Sequence, residues 1–318
     1  MSNLRGVLFA LAAFGIFATH DVVVKTLGMR YAPFQIIFFS VLMSFPLVML
    51  MLMRDPTSGH LRPMHPWWIA ARMVAAVVTS TSAFYAFSVL PLAQTYSVLF
   101  ATPLLITVLS IPILGERVGL HRWLAVFIGL AGVIVVLRPG QAPLSLGHVA
   151  ALAAATSSAL ASVIIRKIGR EERTVVLLIY PMLANFVVMA AVLAFVYVPM
   201  PVIDLGMNAV ISVLGFSAGL FLIAAYNNGE AAVVAPMQYS QIIWATVLGA
   251  WFFDEWPDRM TLIGAAVVIL SGLYIVFRES RGTVSTNTPV LRTRSRLELA
   301  TTFRVSAFLR RWHEGKPR

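Results

Sequence analysis

The sequence predicts an all-α membrane protein of ten transmembrane helices, arranged as two inverted five-helix repeats. Three observations predict this. Of 318 residues, 59% are hydrophobic and 12% charged, about half the charged share of a soluble domain, so most of the chain must meet lipid. Ten segments each hold the roughly 20 apolar residues needed to cross a hydrocarbon core. The chain also repeats itself: Leu114-Gly115-Glu116 recurs 139 residues later as Phe253-Asp254-Glu255.

The spans are expected at about 4–25, 33–53, 67–88, 93–114, 121–138, 147–165, 175–198, 206–226, 231–253 and 260–277. Their apolar runs are continuous and too long for barrel strands. The first has one early cation, Arg5, but no small-residue cleavage site, and it ends on His20, Asp21 and Lys25, unlike a signal peptide.

The repeat divides the chain into 1–140, 141–278 and a basic tail, 279–318. At the 139-residue offset Thr107-Val108-Leu109 matches Thr246-Val247-Leu248, and Ser88 to Ala93 falls on Asn227 to Ala232. After one inserted residue Gly132 falls on Gly272 and Arg138 on Arg278. At offset 141 Gly6 aligns with Gly147 and Lys25 with Arg166. Five spans per half is an odd number, so the second half enters the membrane upside down, as in many secondary transporters.

Net charge is +11, with a balance of +7 in residues 278–318 alone. With the N-terminus inside, inner loops and termini hold nineteen Lys and Arg and outer ones four, so both termini are expected in the cytoplasm of a multi-pass cell-membrane protein. From about 296 to 312 the tail can form a basic amphipathic helix for anionic inner-leaflet lipid; no nucleic-acid partner is expected. The absence of cysteine excludes disulfides, thiolate metal sites and cysteine nucleophiles. No P-loop, GxGxxG or HExxH run occurs, and no histidine pair has metal-ligand spacing. No enzyme activity, cofactor or metal is expected.

Pro91-Leu92-Ala93, Thr102-Pro103-Leu104 and Leu114-Gly115-Glu116-Arg117, with Arg72 before them and Gly129, Gly132 and Val133 to Val136 after, resemble the EamA-type drug/metabolite transporters. The resemblance covers roughly residues 5–278; the second copy departs from it with Ile242 for Pro103 and Asp254 for Gly115. It implies two five-helix units around a central cavity and a small-molecule substrate, without fixing which. Pro236 to Gln241 with Trp244-Ala245-Thr246 is similar to the branch that includes S-adenosylmethionine and riboflavin carriers.

Ionisable groups at membrane depth are costly, so each is a candidate for function. Asp21 is the one acid well inside an expected span. Lys25, four residues on, can pair with it, as a structural ion pair or, with His20, as a gating or proton-linked group. Arg72 follows Trp67-Trp68 and either snorkels to the interface or closes an inner gate. Glu116 and Glu255 close helices where the dipole repels a carboxylate, so each needs a cationic partner, in a gate, a hinge or plain interfacial placement.

The ninth span is the most polar at depth. Gln238, Tyr239, Gln241 and Trp244 there, Gln94 and Tyr96 in the fourth span, Tyr85 in the third, and Tyr180 and Asn185 in the seventh offer amides and flat rings. They suit either interhelical hydrogen bonds or a substrate cavity. The expected function is secondary transport of an amphipathic or planar metabolite, such as an amino acid, nucleoside-like or vitamin-like compound, by alternating access. A membrane-embedded enzyme and a scaffold or sensor acting through the tail are the other readings.

Overall fold

The computed structural model describes residues 3–52, 61–116, 118–138, 145–169, 171–229 and 231–280. The tail from 281, Arg117 and the 139–144 link lie outside them, so the amphipathic-helix expectation does too. The described chain is helical: α1 (Asn3–Gly28), α2 (Pro33–Leu52), α3 (Pro66–Val89), α4 (Leu92–Leu99), α5 (Thr102–Leu114), α6 (Leu120–Leu137), α7 (Leu146–Ile168), α8 (Thr174–Val196), α9 (Val202–Asn228), α10 (Ala231–Val234), α11 (Gln241–Phe253) and α12 (Arg259–Ser280). A 3₁₀ turn, Ala235–Ser240, joins α10 to α11.

Among the described residues eight helical stretches are long and apolar enough to span a membrane, Leu92–Leu114 being one of them. The shorter α2 and the broken α10–α11 segment complete ten crossings. Prolines mark several starts, where a missing N–H does no harm: Pro66 lies in the first turn of α3 and Pro103 in that of α5. Ser145 and His148 form a capping box on α7.

The two halves interlock. α1 lies along α9 and α11, and its repeat mate α7 lies along α3 and α5. α2 packs on α9 as α8 packs on α3, and α6 crosses its own mate α12. The close approaches obey the same relation. A Cβ on Gly6 would stand 2.7 Å from the Gly229 Cα, and one on Gly147 would stand 2.9 Å from the Leu90 side chain. Offset 141 takes Gly6 to Gly147 and offset 139 takes Leu90 to Gly229, so the repeat read from sequence is also a repeat of contacts.

The fourth and ninth spans are both broken at matching depth. α4 gives way to α5 at Phe100–Ala101, and the 3₁₀ turn precedes α11. Irregular backbone at membrane depth is tolerated where protein or a cavity surrounds it. Both spans end in the left-handed region, at Gly115 (φ 70°) and Asp254 (φ 53°). Glycine is the favoured residue there. Asp254 is exposed, so Asp254→Gly should stabilise the protein by about 0.5–1 kcal/mol, read as a rise in melting temperature.

Candidate functional site

Below, the Lys25 end of the bundle is the one where α1, α3 and α11 finish, and the Arg166 end is the opposite one. One turn inside the Lys25 end, α1, α4 and α11 bring together a buried polar chain. His20 Nδ1 lies 2.7 Å from Asp21 Oδ1. Tyr96 donates its hydroxyl hydrogen to Asp21 Oδ2, and Gln241 Nε2 donates to the Tyr96 oxygen at 3.1 Å. Both bonds run toward the carboxylate, so Asp21 acts as an acceptor. Its side chain is 5% exposed.

The chain crosses the seam, since Asp21 and Tyr96 belong to the first half and Gln241 to the second. Rings wall it. Phe84 meets His20 edge-on at 6.2 Å, Tyr96 stands between Phe87 (5.4 Å) and Phe100 (6.0 Å), and Tyr239 lies 5.1 Å from Phe100. The Tyr239 hydroxyl is buried against Gly272. These rings fill the centre of the bundle.

A cavity of about 320 Å³ lies between the halves toward the Lys25 end, lined by Gln94, Arg138, His148, Ala245, Glu255 and Asp258 among others. Ala245 is one turn along α11 from Gln241, on the same face, so the polar chain lies beneath the cavity. The Ser145 N–H donates to His148 Nδ1 at 3.1 Å. His148 Nε2 lies 3.0 Å from Gln94 Nε2, so this contact joins α7 to α4.

Two ion pairs tie the helices nearer the ends. Lys25 Nζ lies 2.6 Å from Glu255 Oε1 and donates to the Leu90 carbonyl at 2.6 Å. Glu255 Oε2 accepts from the Leu92 N–H at 3.2 Å. At the other end Arg166 pairs with Glu116. Both carboxylates thus have the cations that their helix-terminal positions demand. Lys25 does not pair with Asp21 as the four-residue spacing suggested: Glu255 and the Leu90 carbonyl hold it, and His20 and Tyr96 satisfy Asp21.

Other expected residues lie apart from the seam. Tyr180 bonds the Leu61 carbonyl at 3.2 Å near the Arg166 end. Asn185 accepts from Ser80 at 2.6 Å and joins α8 to α3, the plain interhelical alternative. Trp244 lies against Gly15 of α1 and is 40% exposed. Tyr85 and Gln238 are half-buried. Arg72 is 3% exposed, so it does not snorkel to water. Among the described residues no cluster of metal-ligating side chains occurs.

Sequence reasoning missed three participants. Arg166 was visible as the mate of Lys25, just as Glu116 is the mate of Glu255, and the two pairs could have been read together. His148 was hidden because its role rests on a turn. Asp204 was placed before its helix, yet it is buried and accepts the Tyr31 hydroxyl at 2.6 Å. That hydrogen bond, with desolvation, raises the Tyr31 phenol above its ordinary pKa of 10.0.

The EamA-like transporter family matches this chain twice, over residues 4–138 and 145–278. The chain is 25% identical over 278 residues to the S-adenosylmethionine uptake transporter of Rickettsia prowazekii (strain Madrid E), covering 87% of this chain and 94% of that one. It is 25% identical over 268 residues to the pseudopaline exporter CntI of Pseudomonas aeruginosa (strain UCBPP-PA14), covering 84% and 94%. A solved structure described only as the crystal structure of a protein shares the fold, with TM-score 0.59 and 19% identity over 88% of this chain and 98% of that one.

Proposed function

The chain belongs to the EamA-like transporter family, and from that premise we propose that it carries an amphipathic metabolite with a cationic group across the cell membrane by alternating access. It is a multi-pass membrane transporter of a small molecule. The finer reading rests on one observation above all: a buried carboxylate, Asp21, sits on the seam between the halves, bonded to His20 and Tyr96 and, among the described residues, paired with no lysine or arginine. A cationic substrate group supplies that partner. Tyr96 and Gln241 orient the substrate, and Phe84, Phe87, Phe100 and Tyr239 offer faces to a planar part. Gln94 and His148 line the cavity beside it. The lysine and arginine distribution supports placing both termini in the cytoplasm.

S-adenosylmethionine, the compound named for the Rickettsia relative, has both a sulfonium cation and a planar base, so it is the first candidate. At one hundred times its dissociation constant a bound ligand adds about 2.7 kcal/mol of stability. S-adenosylmethionine should therefore raise the melting temperature of the purified protein, and S-adenosylhomocysteine, which lacks the sulfonium charge, should raise it less. Gln241→Ala should weaken the shift. Equal shifts from the two compounds would remove the sulfonium from the recognition scheme.

A further inference from the structure

Repeat symmetry holds for the main packing inside each interlocked unit, but it fails between the units, most clearly where α1 meets α3. α1 packs on α3 near the Lys25 end, yet among the described residues their mates, α7 and α9, show no comparable packing at the Arg166 end. The glycines agree. A Cβ on Gly28 would collide with Ser88 of α3, whereas the nearest atoms to a Cβ on Gly169, the mate of Gly28, belong to Ile165 of its own helix. The two ends are therefore in different states. The Lys25 end is shut between α1 and α3, and the Arg166 end is parted between α7 and α9.

What shuts the Lys25 end is a four-part contact. The corner between α3 and α4 presents the Leu90 carbonyl, at the negative end of the α3 dipole, and the Leu92 N–H, at the positive end of the α4 dipole. Lys25 donates to the first, Glu255 accepts from the second, and the two side chains bond each other. Each charge meets the helix end of opposite sign. Lys25 and Glu255 come from the unit of α1, α9 and α11. The corner belongs to the unit of α3, α4, α5 and α7.

We propose that Lys25 and Glu255 form a clasp that closes this end over the Asp21 site, and that Arg166 and Glu116 are its counterpart. When the Arg166 end closes, they take the Gly229 carbonyl and the Ala231 N–H, onto which the repeat maps the Leu90 carbonyl and the Leu92 N–H. This deepens the alternating-access reading and rests on it. Lys25 also stands one turn from Asp21 on the same face of α1, so a substrate that shifts Asp21 moves the clasp with it.

The chain has no native cysteine, so spin labels can be placed without background. Met29 and Val89, both exposed and located after α1 and at the end of α3, report the Lys25 end as a Met29→Cys/Val89→Cys pair. Wild type in detergent should show one short distance. Lys25→Met and Glu255→Gln, both near-isosteric, should each lower the ratio of short to long distances about tenfold, the size expected for one charge-assisted hydrogen bond.

The double swap Lys25→Glu/Glu255→Lys separates a clasp from a simple ion pair. It restores opposite charges but turns each toward the wrong helix end. Melting temperature should recover while the long distance persists. An unchanged distance in the folded single variants, or full recovery of the short distance in the swap, would overturn the clasp. These distances are read without substrate, so failure here leaves the Asp21 reading standing. Loss of that reading would likewise leave the distances unmoved.

Discussion

Asp21→Asn is expected to reduce transport by about 10- to 100-fold while the helices stay intact. The substitution keeps the shape of the side chain and removes its charge. A charge-assisted hydrogen bond contributes about 1.5–3 kcal/mol, and each 1.4 kcal/mol is a factor of ten. Tyr96 keeps an oxygen to donate to, and the new NH₂ group can donate to His20 Nδ1 when the ring hydrogen is on Nε2, so folding is spared. A cationic substrate loses its counter-charge, which is dear to replace inside a bundle that excludes water. Uptake into proteoliposomes at matched protein content checks the rate, and circular dichroism checks the fold. Unaltered transport would return Asp21 to the structural role that sequence alone left open.

Gly264→Val should cost about 3 kcal/mol, at the upper end for overpacking a core, and lower the melting temperature by roughly 5–10 °C. A Cβ at this position would meet the Gly132 carbonyl oxygen at 2.6 Å and the Val136 backbone nitrogen at 3.0 Å. Both are main-chain atoms of α6 and cannot swing aside. Small residues let membrane helices approach until their backbones touch, and α6 and α12 cross here as repeat mates. Gly206 has open space around it, so Gly206→Ala should leave the melting temperature unchanged. A Gly264→Val protein as stable as wild type would show that the crossing can slide apart freely.

Much of the architecture was legible because apolar length and loop charge are properties of contiguous sequence. All ten spans fall where runs of about 20 apolar residues placed them. The repeat was legible at Glu116 and Glu255 because a carboxylate at a helix end is uncommon enough to stand out. The breaks were not legible. Pro103 and Pro236 sit beside them, but proline also opens α3 and lies inside α2, α5 and α8 without dividing them. Whether a proline breaks a span depends on the neighbours that receive the freed backbone groups.

The site was half legible. Asp21, Tyr96 and Gln241 were each singled out as polar groups at depth, yet their union is a tertiary fact with no local signature. The same limit explains Lys25. Helical spacing offered Asp21 as its partner, and the nearer competitor came from a residue 230 positions away. Tyr180 and Asn185 had the chemistry of ligands, but their helix turns them to Leu61 and Ser80.

The central claim is that substrate is held on the seam at Asp21. It is tested most directly by comparing metabolites inside and outside cells producing wild type, Asp21→Asn or Tyr180→Phe at equal membrane abundance. The prediction is that one or a few amphipathic cationic metabolites redistribute with wild type and with Tyr180→Phe, and do not with Asp21→Asn. The same redistribution in Asp21→Asn as in wild type would contradict it.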